Sequence, residues 1–156
     1  MNETELFFNT IHSGNASNVE LQLKRNPNLV NAKDARGFTS LIFATYFDKE
    51  AIAKLLVEHG APIDAQDASG NTALIGVSFK GNVELVSYLI EKGANINSVN
   101  NQGASALIFS AMYNKLESVK LLLKHNADKT IKDNSGKTAL DYAKEKGFDK
   151  IVRLLT

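Results

Sequence analysis

Gly70-Asn71-Thr72-Ala73-Leu74-Ile75 opens the stretch on which the fold turns, and it runs on through Gly81-Asn82-Val83-Glu84-Leu85-Val86 to Gly93-Ala94-Asn95-Ile96-Asn97. Thr72 is a residue type whose hydroxyl takes up the free amides of a helix start, and an apolar run follows it directly. A short first helix is predicted there. Gly81 marks a turn, and the periodic apolar stretch from Glu84 to Lys92 predicts a second helix. That helix ends at Gly93, a residue type at home in the left-handed conformation past a helix C-terminus.

The same reading repeats along the chain. Gly37, Gly70, Gly103 and Gly136 stand 33 residues apart. Asp34, Asp67, Asn100 and Asp133 come three before them; Thr39, Thr72, Ser105 and Thr138 follow two after, and Leu41, Leu74, Leu107 and Leu140 two further on. Leu56, Leu89, Leu122 and Leu155 keep the same phase, as do Ala61, Ala94 and Ala127. A fixed period of this length is the signature of a repeat architecture. First helices are predicted after each Thr or Ser, for example over Ser40 to Phe47, with turns near Asp48, Gly81, Asn114 and Gly147. Second helices follow from about Glu50 to His59, Glu84 to Lys92 and Ser118 to His125, closing at Gly60, Gly93 and Asn126. The Asp-to-Gly connection reads as a tight extended turn. Two antiparallel helices and a hairpin finger make one repeat.

Composition sets the class. The chain has 156 residues, 44% hydrophobic and 22% charged, enough for a core of its own. Without cysteine there is no disulfide, thiolate metal site or thiol nucleophile, and a reducing compartment suits it. The first residues carry no Lys or Arg, Leu6-Phe7-Phe8 is too short for a secretory h-region, and no run reaches the ~20 apolar residues of a membrane helix. The expected location is cytoplasmic. Eighteen basic and seventeen acidic residues give a net charge of +1, with no general attraction for nucleic acid or anionic lipid. The distribution is uneven: Lys115 to Thr156 is net +4 and Met1 to Asn114 net −3.

Catalytic patterns are missing. His59 and His125 share a repeat position two repeats apart, roughly 20 Å at helix-packing distances, so they cannot share a metal ion. His12 lies in the opening repeat and reads as a surface histidine. Gly76-Val77-Ser78-Phe79-Lys80-Gly81 has one residue too many for a nucleophile elbow and no strand before it. Neither phosphate-cradling glycine loop nor H-E-x-x-H occurs. No cofactor and no metal are expected, and no enzymatic activity.

The repeat resembles the ankyrin repeat, with its G-x-T-P-L-H-x-A opening and G-A-D-V-N close; Gly70 to Ile75, Gly81 to Val86 and Gly93 to Asn97 carry the likeness best. The resemblance implies an all-α ankyrin-repeat solenoid of stacked helix-turn-helix units with β-hairpin fingers. It spans one domain over 1–156: a divergent opening repeat (1–33), full repeats at 34–66, 67–99 and 100–132, and a closing repeat (133–156). The opening repeat keeps Gly14-Asn15, Val19, Leu23 and Val30 to Asp34 in phase but lacks Gly-x-Thr. Departures are clear. The family's Pro is Ser40, Ala73, Ala106 and Ala139, and its His is Ile42, Ile75, Ile108 and Asp141, so the histidine's hydrogen bonds are absent. Lys129 replaces Ile63 and Ile96, which predicts a more solvated last finger. Lys144, Glu145, Lys146, Lys150 and Arg153 fit the polar face that ends a stack.

Family members generally bind proteins on the concave face made by finger tips and first helices. Carried over by position, this implies a partner-binding set of Arg36, Phe38, Tyr46, Phe47, Ser69, Asn71, Phe79, Lys80, Gln102, Met112, Tyr113, Asn134, Lys137 and Lys146. Five of these are aromatic in a chain with eight Phe and four Tyr, and aromatics with basic neighbours are common interface anchors. Phe47 and Phe79 could instead fold back between first helices as core. Phe43 and Phe109 are expected to be buried. The partner implied is another protein, engaged by a monomer acting as adaptor, or as inhibitor or immunity factor. The alternatives are an accessory subunit of a larger complex and a nucleic-acid platform on Lys80, Lys137 and Lys146, the latter disfavoured by a weak electrostatic footprint.

Overall fold

Helices alternate with left-handed turns from one end of the chain to the other. The computed structural model describes all 156 residues, which divide into two compact parts, 1–68 and 69–156. The N-terminal part holds α1 (Glu3–Ser13), α2 (Ala16–Arg25), a 3-10 turn (Pro27–Asn31), α3 (Ser40–Tyr46) and α4 (Glu50–Glu58). The C-terminal part holds α5 (Ala73–Lys80), α6 (Val83–Glu91), α7 (Ala106–Met112), α8 (Leu116–Lys124), α9 (Ala139–Lys146) and α10 (Asp149–Leu155). Within each part first helices stack on first helices and second on second: α1 on α3 and α2 on α4, then α5, α7 and α9 in series beside α6, α8 and α10.

The periodic residues explain the periodic structure. Hydroxyls of Thr39, Thr72, Ser105 and Thr138 accept from the amides of Ile42, Ile75, Ile108 and Asp141 at 3.1 to 3.3 Å, so each first helix starts where the sequence places it. In the opening repeat, Asn2 and Glu5 close a capping box in place of the missing Thr. Three chain reversals fall on residues other than glycine, Asp48 at φ 60°, Asn114 at 58° and Asn126 at 64°. These are the short polar types that tolerate the left-handed region. Leu41, Leu74 and Leu107 are buried under the first helices, and Leu56, Leu89 and Leu122 under the second. Each contributes roughly 1.5–3 kcal/mol of apolar burial. Leu140, at the same position on α9, is half-buried.

The fingers are built on one carboxylate or amide. Asp34 Oδ1 accepts from the amides of Arg36 and Phe38 at 2.9 and 3.0 Å. Asn100 does the same for Gln102 and Ala104, and Asp133 for Ser135 and Lys137. This is why Asp or Asn stands three residues before each finger glycine. Extended pairing is slight: the antiparallel bridges Lys33 to Thr39 and Val99 to Ser105 are isolated and the fingers around Gly70 and Gly136 have none, so the fingers are turns and not strand ladders. Lys129 is exposed where Ile63 and Ile96 are half-buried, as the substitution predicts.

Candidate functional site

In the N-terminal part, helix α3 and its finger gather aromatic rings on one side. Phe43 is buried at 7% exposure and Tyr46, almost a full turn later, is 55% exposed. Phe47 joins them, its centroid 4.7 Å from Phe43 and 5.0 Å from Tyr46, and is half-buried. Phe38 reaches back from the finger to Tyr46 at 5.3 Å. The Arg36 guanidinium lies 4.4 Å over the Phe38 ring and 5.7 Å from Phe43 and Phe47. Two of its nitrogens donate to Asp34 Oδ2, at 2.9 and 3.1 Å. Fixed in this way, Arg36 presents a neutralised, flat, semi-apolar lid.

Sequence reasoning left His12 out of this cluster, yet its ring lies 4.8 Å from Phe47 and 6.3 Å from Phe43, edge-on to both. Counting back from the left-handed turn was the available signal: Gly14 reverses the chain after α1 as Asp48 does after α3, which sets His12 in the place of Tyr46. Phe47 is therefore partly core, held by His12 and Phe43, and partly surface.

In the C-terminal part, Phe79 and Tyr113 remain 43% and 44% exposed although their rings meet edge to face at 4.6 Å. Phe109 lies beneath, 6.2 Å from Phe79 and 6.3 Å from Tyr113. The expectation that Phe109 is buried is corrected: it is half-buried. Phe43, at the same repeat position and buried, packs against Phe8 at 5.0 Å, whereas Phe109 has the exposed Phe79 and Tyr113 as ring neighbours. Lys146 Nζ lies 5.3 Å over the Tyr113 ring. Met112 is half-buried and Lys80 is exposed.

The remaining positions of the set lie on the fingers. Ser69 and Gln102 accept through their carbonyls from the amides of Asn101 and Asn134, at 3.0 and 2.9 Å. Asn71 accepts from Asn100 Nδ2, and Asn134 Nδ2 donates to the Asn101 carbonyl. These residues bind finger to finger as well as forming the finger surface. Lys137 pairs with Glu145 at 2.9 Å, and that hydrogen bond with the attraction of Glu145 raises the ammonium's pKa. Beside it the Tyr142 hydroxyl donates a hydrogen bond to Asp133. This bond, with burial, pushes the phenol up to about 12. Burial works against the Asp133 charge, yet donation from Tyr142, Lys137 and Ser135 holds its carboxyl below the ordinary range. The last finger is thus locked to α9 by charge-assisted bonds.

Arg36, Asn71, Asn134 and Lys137 are taken up by finger hydrogen bonds and ion pairs. No group of three His, Asp or Glu converges anywhere in the chain as metal ligands would, and no helix is long and apolar enough to cross a membrane. The arrangement suits recognition: rings open on one side, on a rigid helical base, with fingers beside them. A family model for ankyrin repeats, in three copies, matches residues 7–100 and 76–156. A comparison with curated proteins finds no match.

Proposed function

Because the chain belongs to the ankyrin-repeat family, whose repeats are generic modules of protein–protein interaction, we propose that it is a non-catalytic, cytoplasmic binding protein. It holds a partner protein on the side formed by fingers and first helices, as an adaptor or as an inhibitor that covers a partner's working surface.

The observation that supports this reading is the exposure of Tyr46, Phe79 and Tyr113. Each is about half open to solvent while its neighbouring rings hold it in one orientation. Large rings kept at the surface at such cost in apolar area are unusual without a partner, and pre-ordered aromatics lose little entropy on binding. The test is affinity capture from the cells of origin with wild type and with a Tyr46→Ala, Phe79→Ala, Tyr113→Ala variant whose helicity is unchanged by circular dichroism. A protein held by the first and released by the second supports the reading. Equal capture by both sinks it.

A further inference from the structure

We infer that the opening repeat is a self-association surface: the side of α1 and α2 turned away from α3 and α4 pairs with the same side of a second copy of this chain, two-fold and antiparallel. This goes beyond the protein-binding reading above and uses none of its three exposed rings. The monomer expected from the sequence is then the form at low concentration.

The repeat register identifies that side. On α3 the Ser40 hydroxyl donates to the Val30 carbonyl of the opening repeat at 3.0 Å, so this position faces the preceding repeat. Ala106 and Ala139 recur there and are buried, as are Ala44, Ser110 and Ala143 one turn further on. The corresponding residues of α1 are Leu6 and Thr10, and Leu6 is 51% exposed. On the second helices, Glu117, Lys120, Leu121 and Lys124 of α8 line a groove against Val83, Glu84 and Ser87 of α6. The matching residues of α2 are Ser17, Glu20, Leu21 and Lys24. Leu21 is 60% exposed, whereas Leu55, Leu121 and Leu154 are half-buried. Two leucines thus stand open where the other repeats stack.

The closing repeat is finished differently. Where Ile75 and Ile108 are buried α9 has the exposed Asp141, and where Ser78 and Ala111 are buried it has the exposed Lys144. A polar surface of this kind ends a stack. Head-to-tail addition of copies would set Leu6 and Leu21 against those charges, which favours an isologous pairing of opening repeats.

Charge selects the orientation. Glu20 and Lys24 flank Leu21, and their own contact at 3.6 Å is a weak surface pair, readily exchanged. When α2 crosses its copy antiparallel, each Glu20 meets the other's Lys24; a parallel crossing sets like charges together. Leu6 and Thr10 lie about as far before the turn at Gly14 as Glu20 and Lys24 lie after it, so one two-fold axis serves both helices. Nor does net charge oppose the pairing, since Glu3, Glu5 and Glu20 are balanced by Lys24, Arg25 and Lys33 over residues 1–33.

Sedimentation velocity of the full chain, from micromolar to millimolar concentration, tests the pairing. The expected result is a reversible monomer–dimer equilibrium without larger species. Leu6→Lys with Leu21→Lys should weaken it about tenfold or more with helicity unchanged, because both side chains are exposed in the single chain. Glu20→Lys should weaken it severalfold at low salt, and adding Lys24→Glu should restore it. The Tyr46→Ala, Phe79→Ala, Tyr113→Ala variant should dimerise like wild type, which keeps this result separate from the fate of the protein-binding reading. A chain that stays monomeric at millimolar concentration, or assemblies that grow past the dimer, overturn the inference. So does a dimer indifferent to the leucine substitutions, or one lost in the ring variant. Failure of Lys24→Glu to repair Glu20→Lys overturns the antiparallel pairing.

Discussion

The backbone amide of Asn101 donates to the carbonyl of Ser69 at 3.0 Å, and Gly70, in between, has no room for a side chain. A Cβ at Gly70 would stand 2.6 Å from that same amide nitrogen, at φ +80°. Replacing Gly70 with Ala thus combines left-handed strain of roughly 1–2 kcal/mol with loss of an inter-finger bond worth about 1 kcal/mol. Gly136 has a similar φ of +76° but open space around its missing Cβ. Urea titration should show Gly70→Ala losing about 2–3 kcal/mol and Gly136→Ala only about 1–2. Equal losses would mean that fingers do not support one another.

Tyr142 makes the closing repeat sensitive to high pH. Its phenol is held protonated up to about 12 by donation to Asp133, above the unfolded value of about 10. A group whose folded pKa is raised contributes stability fully below its unfolded pKa and loses it as pH rises through the folded one. Thermal melts should accordingly fall between pH about 10 and 12, and Tyr142→Phe should flatten that fall while lowering stability at pH 7. An unchanged alkaline slope in the Phe variant would show that the bond contributes nothing.

Gly76 is the opposite case to Gly70. It sits inside α5 with ordinary helical backbone and nothing within 4 Å of a would-be Cβ. Gly76→Ala removes the helix-interior penalty of about 0.5–1 kcal/mol without a clash. A melting temperature higher by about 1–4 °C is expected for a chain of this size, and a lower one would place an unseen constraint on that turn.

How far the chain could be read in advance depended on which physics each residue answers to. Thr39, Thr72, Ser105 and Thr138 cap locally, and Gly60, Gly93 and Asn126 reverse the chain locally, so spacing alone located them. The side chains of the site answer to neighbours a repeat away. Phe109 looked like Phe43 by position, yet Phe43 has Phe8 against it at 5.0 Å and is buried, while Phe109 is half-buried. His12 looked solitary, because its contacts with Phe43 and Phe47 join residues that only stacking of α1 on α3 brings together. Lys137 and Asn134, chosen as binding residues, spend part of their polar capacity on Glu145 and Asn101. Position in a repeat cannot tell which duty prevails.

The aromatic residues of the N-terminal part divide into those that hold the fold and those open to a partner, and stability measurements can sort them. Phe43 is buried among Phe8, His12 and Phe47, so Phe43→Ala should cost about 3–5 kcal/mol. Tyr46 keeps 55% of its surface in water, and its loss to Ala should cost about 1 kcal/mol or less. Phe47 stands between: His12 at 4.8 Å and Phe43 at 4.7 Å hold one side, and half-burial leaves the other to solvent. Phe47→Ala should therefore lose about 1.5–3 kcal/mol, and His12→Ala should reproduce only a small share of it. If Phe47→Ala proves as mild as Tyr46→Ala, the ring belongs wholly to the binding surface. If it proves as costly as Phe43→Ala, the ring is core, and lost binding in that variant would report unfolding and not a missing contact.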